Sequence, residues 1–174
     1  MKGASHVALV GLSGTGKSTV APLVAERTGR DVVDLDRVIE QRSGRSVTEV
    51  FATDGEEHFR RLESEALEAA LSGPPAVVAT GGGIVTVSAA LDLLAARSEV
   101  VWLRVDPAEL AVRLRSGTED RPLLGDDAET ALRLLSEQRE PLYRQVADRI
   151  LEVGSVPTED VVERIVANIG VIAQ

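Results

Sequence analysis

The chain has 174 residues, a length suited to one compact domain, and 44% of them are hydrophobic, enough to bury a sizeable core. Cysteine is absent, which excludes disulfides and thiolate metal sites, and aromatic residues make up only 2%, too few for a base-stacking platform. A net charge of −9 argues against broad nucleic-acid binding, so any anionic ligand must be met by positive charge concentrated locally.

The first apolar segment, His6–Val10, reads as a strand, and the sequence offers no partner for His6. Lys2 and this apolar stretch faintly resemble a secretion signal, but Gly11, Gly14, Gly16 and Lys17 interrupt it, so the chain reads as cytoplasmic. No run of 18 apolar residues follows, and no membrane span is expected. The segment Gly11-Leu12-Ser13-Gly14-Thr15-Gly16-Lys17-Ser18-Thr19 fits G-x-x-x-x-G-K-[ST] between a buried strand and a helix over Thr19 to Arg27. Its glycines let successive backbone N–H groups turn toward phosphate oxygens, and the helix N-terminus adds partial positive charge. Lys17 is positioned to reach the β- and γ-phosphates of a nucleotide, and the Ser18 hydroxyl to ligate Mg²⁺. Of the 19 basic residues only Lys2 and Lys17 are lysine; the arginine excess reads as genomic composition bias, against which Lys17 stands out. A purely structural glycine turn is the competing reading, and the complete motif in its proper context weighs against it.

The next strand, Asp31–Leu35, ends on Asp34-Leu35-Asp36. Ligands of open α/β sheets bind beyond the carboxyl ends of the strands, and two carboxylates one residue apart point in different directions if the strand continues. One could face a metal and the other an acceptor; alternatively Asp36 simply caps a helix starting at Arg37. Ser46-Val47-Thr48-Glu49 has the form of a capping box. In the helical segment that follows, Arg60 and Glu63 share a face, while Arg61 and His58 read as solvated surface with nothing marking His58 as a metal ligand.

A third strand, Ala76–Ala79, runs into Thr80-Gly81-Gly82-Gly83. Three glycines at a strand's carboxyl end suit close approach of a ligand to the backbone, more than a simple turn requires. The strand Glu99–Arg104 is followed by Asp106-Pro107-Ala108-Glu109, a cap residue before a proline at the first helical position. Ser116–Gly125 is polar, reads as a mobile loop, and carries Arg121, which a closing loop could bring to a transferring phosphoryl group. Acidic residues from Asp126 to Glu129 open another helix, which ends in Pro141-Leu142-Tyr143-Arg144; Arg144 taken alone reads as surface. A last strand spans Arg149–Val153. Strands alternating with helices are the signature of a parallel sheet covered on both faces. The only asparagine is Asn168, so no N-K-x-D guanine motif exists, and at this length a small-metabolite kinase fits better than a GTPase.

Together the phosphate loop, Asp34-Leu35-Asp36, Phe59-Arg60, Gly81-Gly82-Gly83, Arg121-Pro122-Leu123-Leu124 and Pro141-Leu142-Tyr143-Arg144 resemble the shikimate kinase family, in order and over nearly the whole chain. The resemblance implies an α/β P-loop kinase of nucleoside-monophosphate-kinase-like architecture, with a five-stranded parallel sheet in the order 2-3-1-4-5. It implies one domain over 1–174, with a shikimate-binding subdomain over about 38–68 and a lid over about 116–125. The implied reaction is phosphorylation of the shikimate 3-hydroxyl by ATP with Mg²⁺, on the route to chorismate and the aromatic amino acids. In this reading Gly14, Thr15, Gly16, Lys17, Ser18, Thr19, Arg115 and Arg121 bind ATP, with Arg115 preferred to Arg113 against the adenine. Asp36 holds the acceptor hydroxyl as candidate base, and Lys17 and Arg121 complete the catalytic set. Arg60 and Arg144 grip the carboxylate, Gly81, Gly82 and Gly83 line the substrate, and Ser18 and Asp34 serve the metal. The partners implied are shikimate and ATP alone, with no nucleic acid or membrane, on a monomer. Two other readings stand beside it: a kinase of another small metabolite such as gluconate, and a non-catalytic nucleotide-binding regulatory module.

Overall fold

The computed structural model describes residues 6–116 and 127–169. Five strands, β1 (His6–Val10), β2 (Asp31–Asp34), β3 (Ala76–Ala79), β4 (Ser98–Arg104) and β5 (Arg149–Glu152), form one all-parallel sheet in the order β2-β3-β1-β4-β5. The central strands are continuous apolar runs because both faces are covered. Val7, Ala8, Leu9 and Val10 are fully buried, as are Val77 and Val78 beside them. Burying a Val or Leu side chain stabilises by roughly 1.5–3 kcal/mol, so these short strands anchor the core. The edge strands β2 and β5 are partly exposed, in keeping with their charged residues.

The helices are α1 (Lys17–Thr28), α2 (Leu35–Ser43), α3 (Val47–Ser72), α4 (Ser88–Arg97), α5 (Pro107–Ser116), α6 (Ala128–Val146) and α7 (Thr158–Val166). Helix α1 packs against α7, and α3, α4 and α6 meet around a short 3-10 turn at Ile84–Thr86. Local signals set the boundaries. Ser46 and Glu49 form the reciprocal capping box, and Asp106 accepts from the Ala108 N–H at 2.9 Å beside Pro107. Asp127 caps α6 through the Thr130 N–H. Within α3, Gly55 breaks the helical path at φ 86, ψ 168, a conformation that residues with a β-carbon disfavour. The Val47 N–H donates to Glu40 and Arg45 pairs with Asp54, fixing the corner between α2 and α3. No described helix is long and apolar enough to cross a membrane.

The junction of β2 and α2 differs from the sequence expectation for a physical reason. Strand β2 stops at Asp34, because the Asp34 side chain turns back to accept from the N–H groups of Asp36 (3.1 Å) and Arg37 (3.3 Å). The cap of α2 is therefore Asp34, not Asp36, and Asp36 lies in the first helical turn. The strand alternation that would have sent these carboxylates apart does not apply.

His6 does have a partner. Its Nδ1 accepts from the Ala76 N–H at 3.1 Å, tying the start of β1 to the start of β3. Burial holds its pKa below the ordinary value; a bond to the Leu71 backbone opposes the shift, and Arg30 and Arg97 add to it.

Candidate active site

The carboxyl ends of β1, β2 and β3 converge on the turn between β1 and α1. Gly16 immediately precedes α1 at φ 97, and no side chain caps the helix there, an N-terminus suited to an anion. Lys17 is buried, and its Nζ donates to the carbonyls of Gly11 (2.7 Å) and Leu12 (2.8 Å). Thr15 is also buried and fastens to the Leu12 carbonyl through its hydroxyl at 2.9 Å. Helix α5 lies on this loop: a β-carbon on Gly14 would come within 2.8 Å of Leu114.

Beside the loop, the Ser18 hydroxyl donates to Asp34 Oδ2 at 2.6 Å. A hydroxyl and a carboxylate at a helix N-terminus are hard oxygen donors, the chemistry that suits Mg²⁺. Among the described residues no cluster of three His, Asp or Glu could hold a metal by itself. Substrate phosphates and water would then complete such a shell, as is usual for this ion.

A second cluster surrounds the glycines after β3. Thr80 fixes their start, donating to the Leu9 carbonyl from both its N–H (3.2 Å) and its hydroxyl (2.9 Å). Gly81, Gly82 and Gly83 are all buried, and each is needed because something presses on it. A β-carbon on Gly81 would collide with the Glu63 carboxylate and lie 3.5 Å from Asp36 Oδ1. One on Gly83 would enter the Arg60 guanidinium. One on Gly82 would sit 3.1 Å from the Ser13 nitrogen, so this residue abuts the phosphate loop itself.

Arg60 pairs with Glu63 and with Glu56, and its guanidinium lies 5.4 Å from the centroid of the Phe59 ring. Glu63 is 0% exposed, and its Oε1 has no hydrogen-bond partner among the described residues. Burial pushes its carboxyl up; Arg60 pulls it down, Asp36 pushes it further up, and Arg139 opposes, with a net upward shift. Tyr143, from α6, is 1% exposed and donates its hydroxyl to the Gly82 carbonyl. Asp36, Arg60, Glu63 and the three glycines are thus brought to one place next to the phosphate loop.

The expected carboxylate partner Arg144 is not brought there. It is exposed, with its guanidinium over the Trp102 ring at 5.6 Å. It lines an open cleft of about 500 Å³ with Arg104, Arg133 and Glu137. The arginine of α6 that acts on Glu63 and Tyr143 is Arg139. The reason is helical phase: five residues rotate the side chain by roughly 140°, while Arg139 and Tyr143, four apart, share a face. That i, i+4 relation was the signal in the sequence that would have singled out Arg139. Glu63 was legible only as a helical neighbour of Arg60, and nothing local marked its complete burial.

Arg113 is bound to Glu109 at 3.5 Å and to the Val153 carbonyl at 3.2 Å, whereas Arg115 is exposed at the end of α5. Arg121 and most of the expected lid lie outside the described residues. His58 sits between Asp54 (3.7 Å) and Arg61 (2.6 Å) on the outer side of α3.

The profile of the family described as shikimate kinase matches residues 13–170. The chain is 45% identical over 162 residues to a shikimate kinase of Synechococcus sp., covering 92% of this chain and 82% of that one. It is similar to the solved structure of a shikimate kinase from Acinetobacter baumannii in complex with shikimate, with a TM-score of 0.85 and 36% identity, covering 92% and 90% of the two chains. A gluconokinase from Sinorhizobium meliloti shares the fold at a TM-score of 0.65 and 17% identity, over 94% of this chain and 90% of that one.

Proposed function

The chain belongs to the shikimate kinase family, and on that premise we propose that it transfers the γ-phosphoryl group of ATP to the 3-hydroxyl of shikimate. The products are shikimate 3-phosphate and ADP. The observation that carries this reading is the convergence of Asp36, Arg60 and Glu63 on Gly81–Gly83 beside the phosphate loop. A gluconokinase-like fold alone does not account for an arginine held against a glycine there.

The reaction joins the acceptor oxygen to the γ-phosphorus while the bond to the ADP oxygen breaks, and the acceptor proton passes to Asp36. Such transfers need positioning and charge stabilisation more than a strong base. Asp36, in the first turn of α2, orients the hydroxyl. Arg60 supplies the planar guanidinium that grips a carboxylate through paired hydrogen bonds. Arg139 takes the second place in that grip instead of Arg144, supported by its action on Glu63 and Tyr143. Lys17 exchanges the Gly11 and Leu12 carbonyls for phosphate oxygens, and the uncapped amides of α1 share the charge. Ser18 and Asp34 would hold Mg²⁺, which would supply positive charge to offset that of the phosphates. Arg115 is the candidate for the adenine because Arg113 is already engaged, and Arg121 remains the candidate lid arginine. The α2–α3 segment carries the acceptor-binding residues Asp36 and Arg60, in keeping with a subdomain over about 38–68 flanked by Asp36.

The test is ADP release from MgATP with shikimate, beside gluconate and beside Lys17→Met. Turnover with shikimate alone, lost in the variant, is the expected result. A folded, ATP-binding protein that ignores shikimate would overturn the substrate assignment and favour a regulatory module.

A further inference from the structure

Tyr143 is among the most completely buried large side chains of the protein, yet it carries a hydroxyl. A buried hydroxyl without a partner is costly, and this one donates to the carbonyl of Gly82. The residue it holds is the middle one of the acceptor glycines. On its other side, Gly82 packs against the Ser13 nitrogen and the Gly11 carbonyl of the phosphate loop. Gly81 and Gly83, one residue away in each direction, face Glu63 and Arg60. The Tyr143 ring is itself fixed, stacked on Trp102 of β4 with centroids 5.4 Å apart. Arg139 acts on the phenol oxygen from one turn earlier on α6.

We infer that Tyr143 is a positioning residue that sets the distance between acceptor and phosphoryl donor, by holding the Gly82 peptide against the phosphate loop. The inference rests on the proposed reaction and deepens it. The acceptor's carboxylate grip, through Arg60 and Arg139, and the donor's cradle are separate elements of the chain. Gly82 is where they touch, and the Tyr143 hydroxyl holds its carbonyl. Without the hydroxyl, the glycine turn keeps its covalent path but loses its fixed orientation. Arg60 and Glu63 lean on that turn, so the acceptor is held less well while the phosphate loop keeps its own internal bonds.

Tyr143→Phe removes one oxygen and keeps the ring. The expected result is a KM and a calorimetric Kd for shikimate raised about tenfold, with the KM for ATP changed by less than about twofold. Trp102→Phe is the companion variant: it loosens the stack but keeps the hydroxyl, and should lower the melting temperature with little effect on the KM for shikimate. Amide exchange across residues 81–84, measured without substrate, should speed up in Tyr143→Phe and reads the contact independently of turnover. The inference is overturned if Tyr143→Phe leaves the KM for shikimate and the exchange unchanged. It is equally overturned if Trp102→Phe raises the KM as much, since packing would then be the cause. A wild-type protein inactive with shikimate would sink the proposed reaction instead, and the exchange experiment would still decide whether Tyr143 holds the turn.

Discussion

The Ser18 hydroxyl and the Asp34 carboxylate meet at 2.6 Å, and the same carboxylate caps α2 through the N–H groups of Asp36 and Arg37. One side chain therefore ties the helix that begins at the phosphate loop to the helix that carries the candidate base. The two oxygens have different tasks, and substitution can separate them.

Asp34→Asn keeps an oxygen that can cap a helix but removes the charge. Its stability should change by less than about 1 kcal/mol, because asparagine is as good a cap as aspartate. The magnesium concentration for half-maximal rate should rise about tenfold or more, the usual scale for disturbing a metal's supporting ligands. Asp34→Ala should lose about 1 kcal/mol in addition, through the missing cap. Thermal unfolding and a magnesium titration of the rate, run on both variants, measure the two effects separately.

The two arginines of α6 give a sharper contrast. Arg139→Met should raise the KM for shikimate about a hundredfold, the scale of a lost charge-assisted pair of hydrogen bonds. Arg144→Met should change it by less than about threefold, since Arg144 is exposed over Trp102. Equal effects from both variants would restore Arg144 to the site.

Adding a methyl group to the glycines should give unlike results at neighbouring positions. Gly83 has φ −98, which alanine accepts, and the group in the way is the end of a flexible side chain. Gly83→Ala should fold normally but displace Arg60, raising the KM for shikimate about tenfold while the KM for ATP holds. At Gly81 the obstacle is the fully buried carboxylate of Glu63. Gly81→Ala should cost about 1–3 kcal/mol of stability, visible as a lower melting temperature.

His6 predicts a pH dependence of stability unrelated to catalysis. Burial holds its folded-state pKa below the ordinary 6.5. Above about pH 6.5 both folded and unfolded chains carry a neutral ring, and the residue adds no slope. Below it the unfolded chain takes up a proton that the folded chain refuses, so stability falls until the folded value is passed. His6→Gln should show a shallower fall in melting temperature between pH 7 and 5 than the wild type does.

Much of the architecture was legible because the signals were local. The capping box at Ser46 and Glu49, the Asp106–Pro107 start, and the uninterrupted apolar runs of β1 and β3 each fix an element from a few adjacent residues. The phosphate loop was legible for the same reason. What escaped depends on residues distant in sequence. Asp34 competes with Asp36 for the cap, and only the end of β2 decides between them. Glu63 lies against Gly81, 18 positions later, and the partner of His6 is 70 positions away. Arg144 stands out along the chain as part of Pro141-Leu142-Tyr143-Arg144, but about α6 it faces Trp102, while Arg139 shares the face of Tyr143.

The sheet is also thin. β3 has four residues, about 13 Å of chain, yet its amino end is fastened to His6 and its carboxyl end opens into the glycines. Changes more than about 7–10 Å apart with no shared partner usually add. Substitutions at the amino-terminal rim should thus alter tolerance of heat or acid while leaving the chemistry at the opposite rim unaltered.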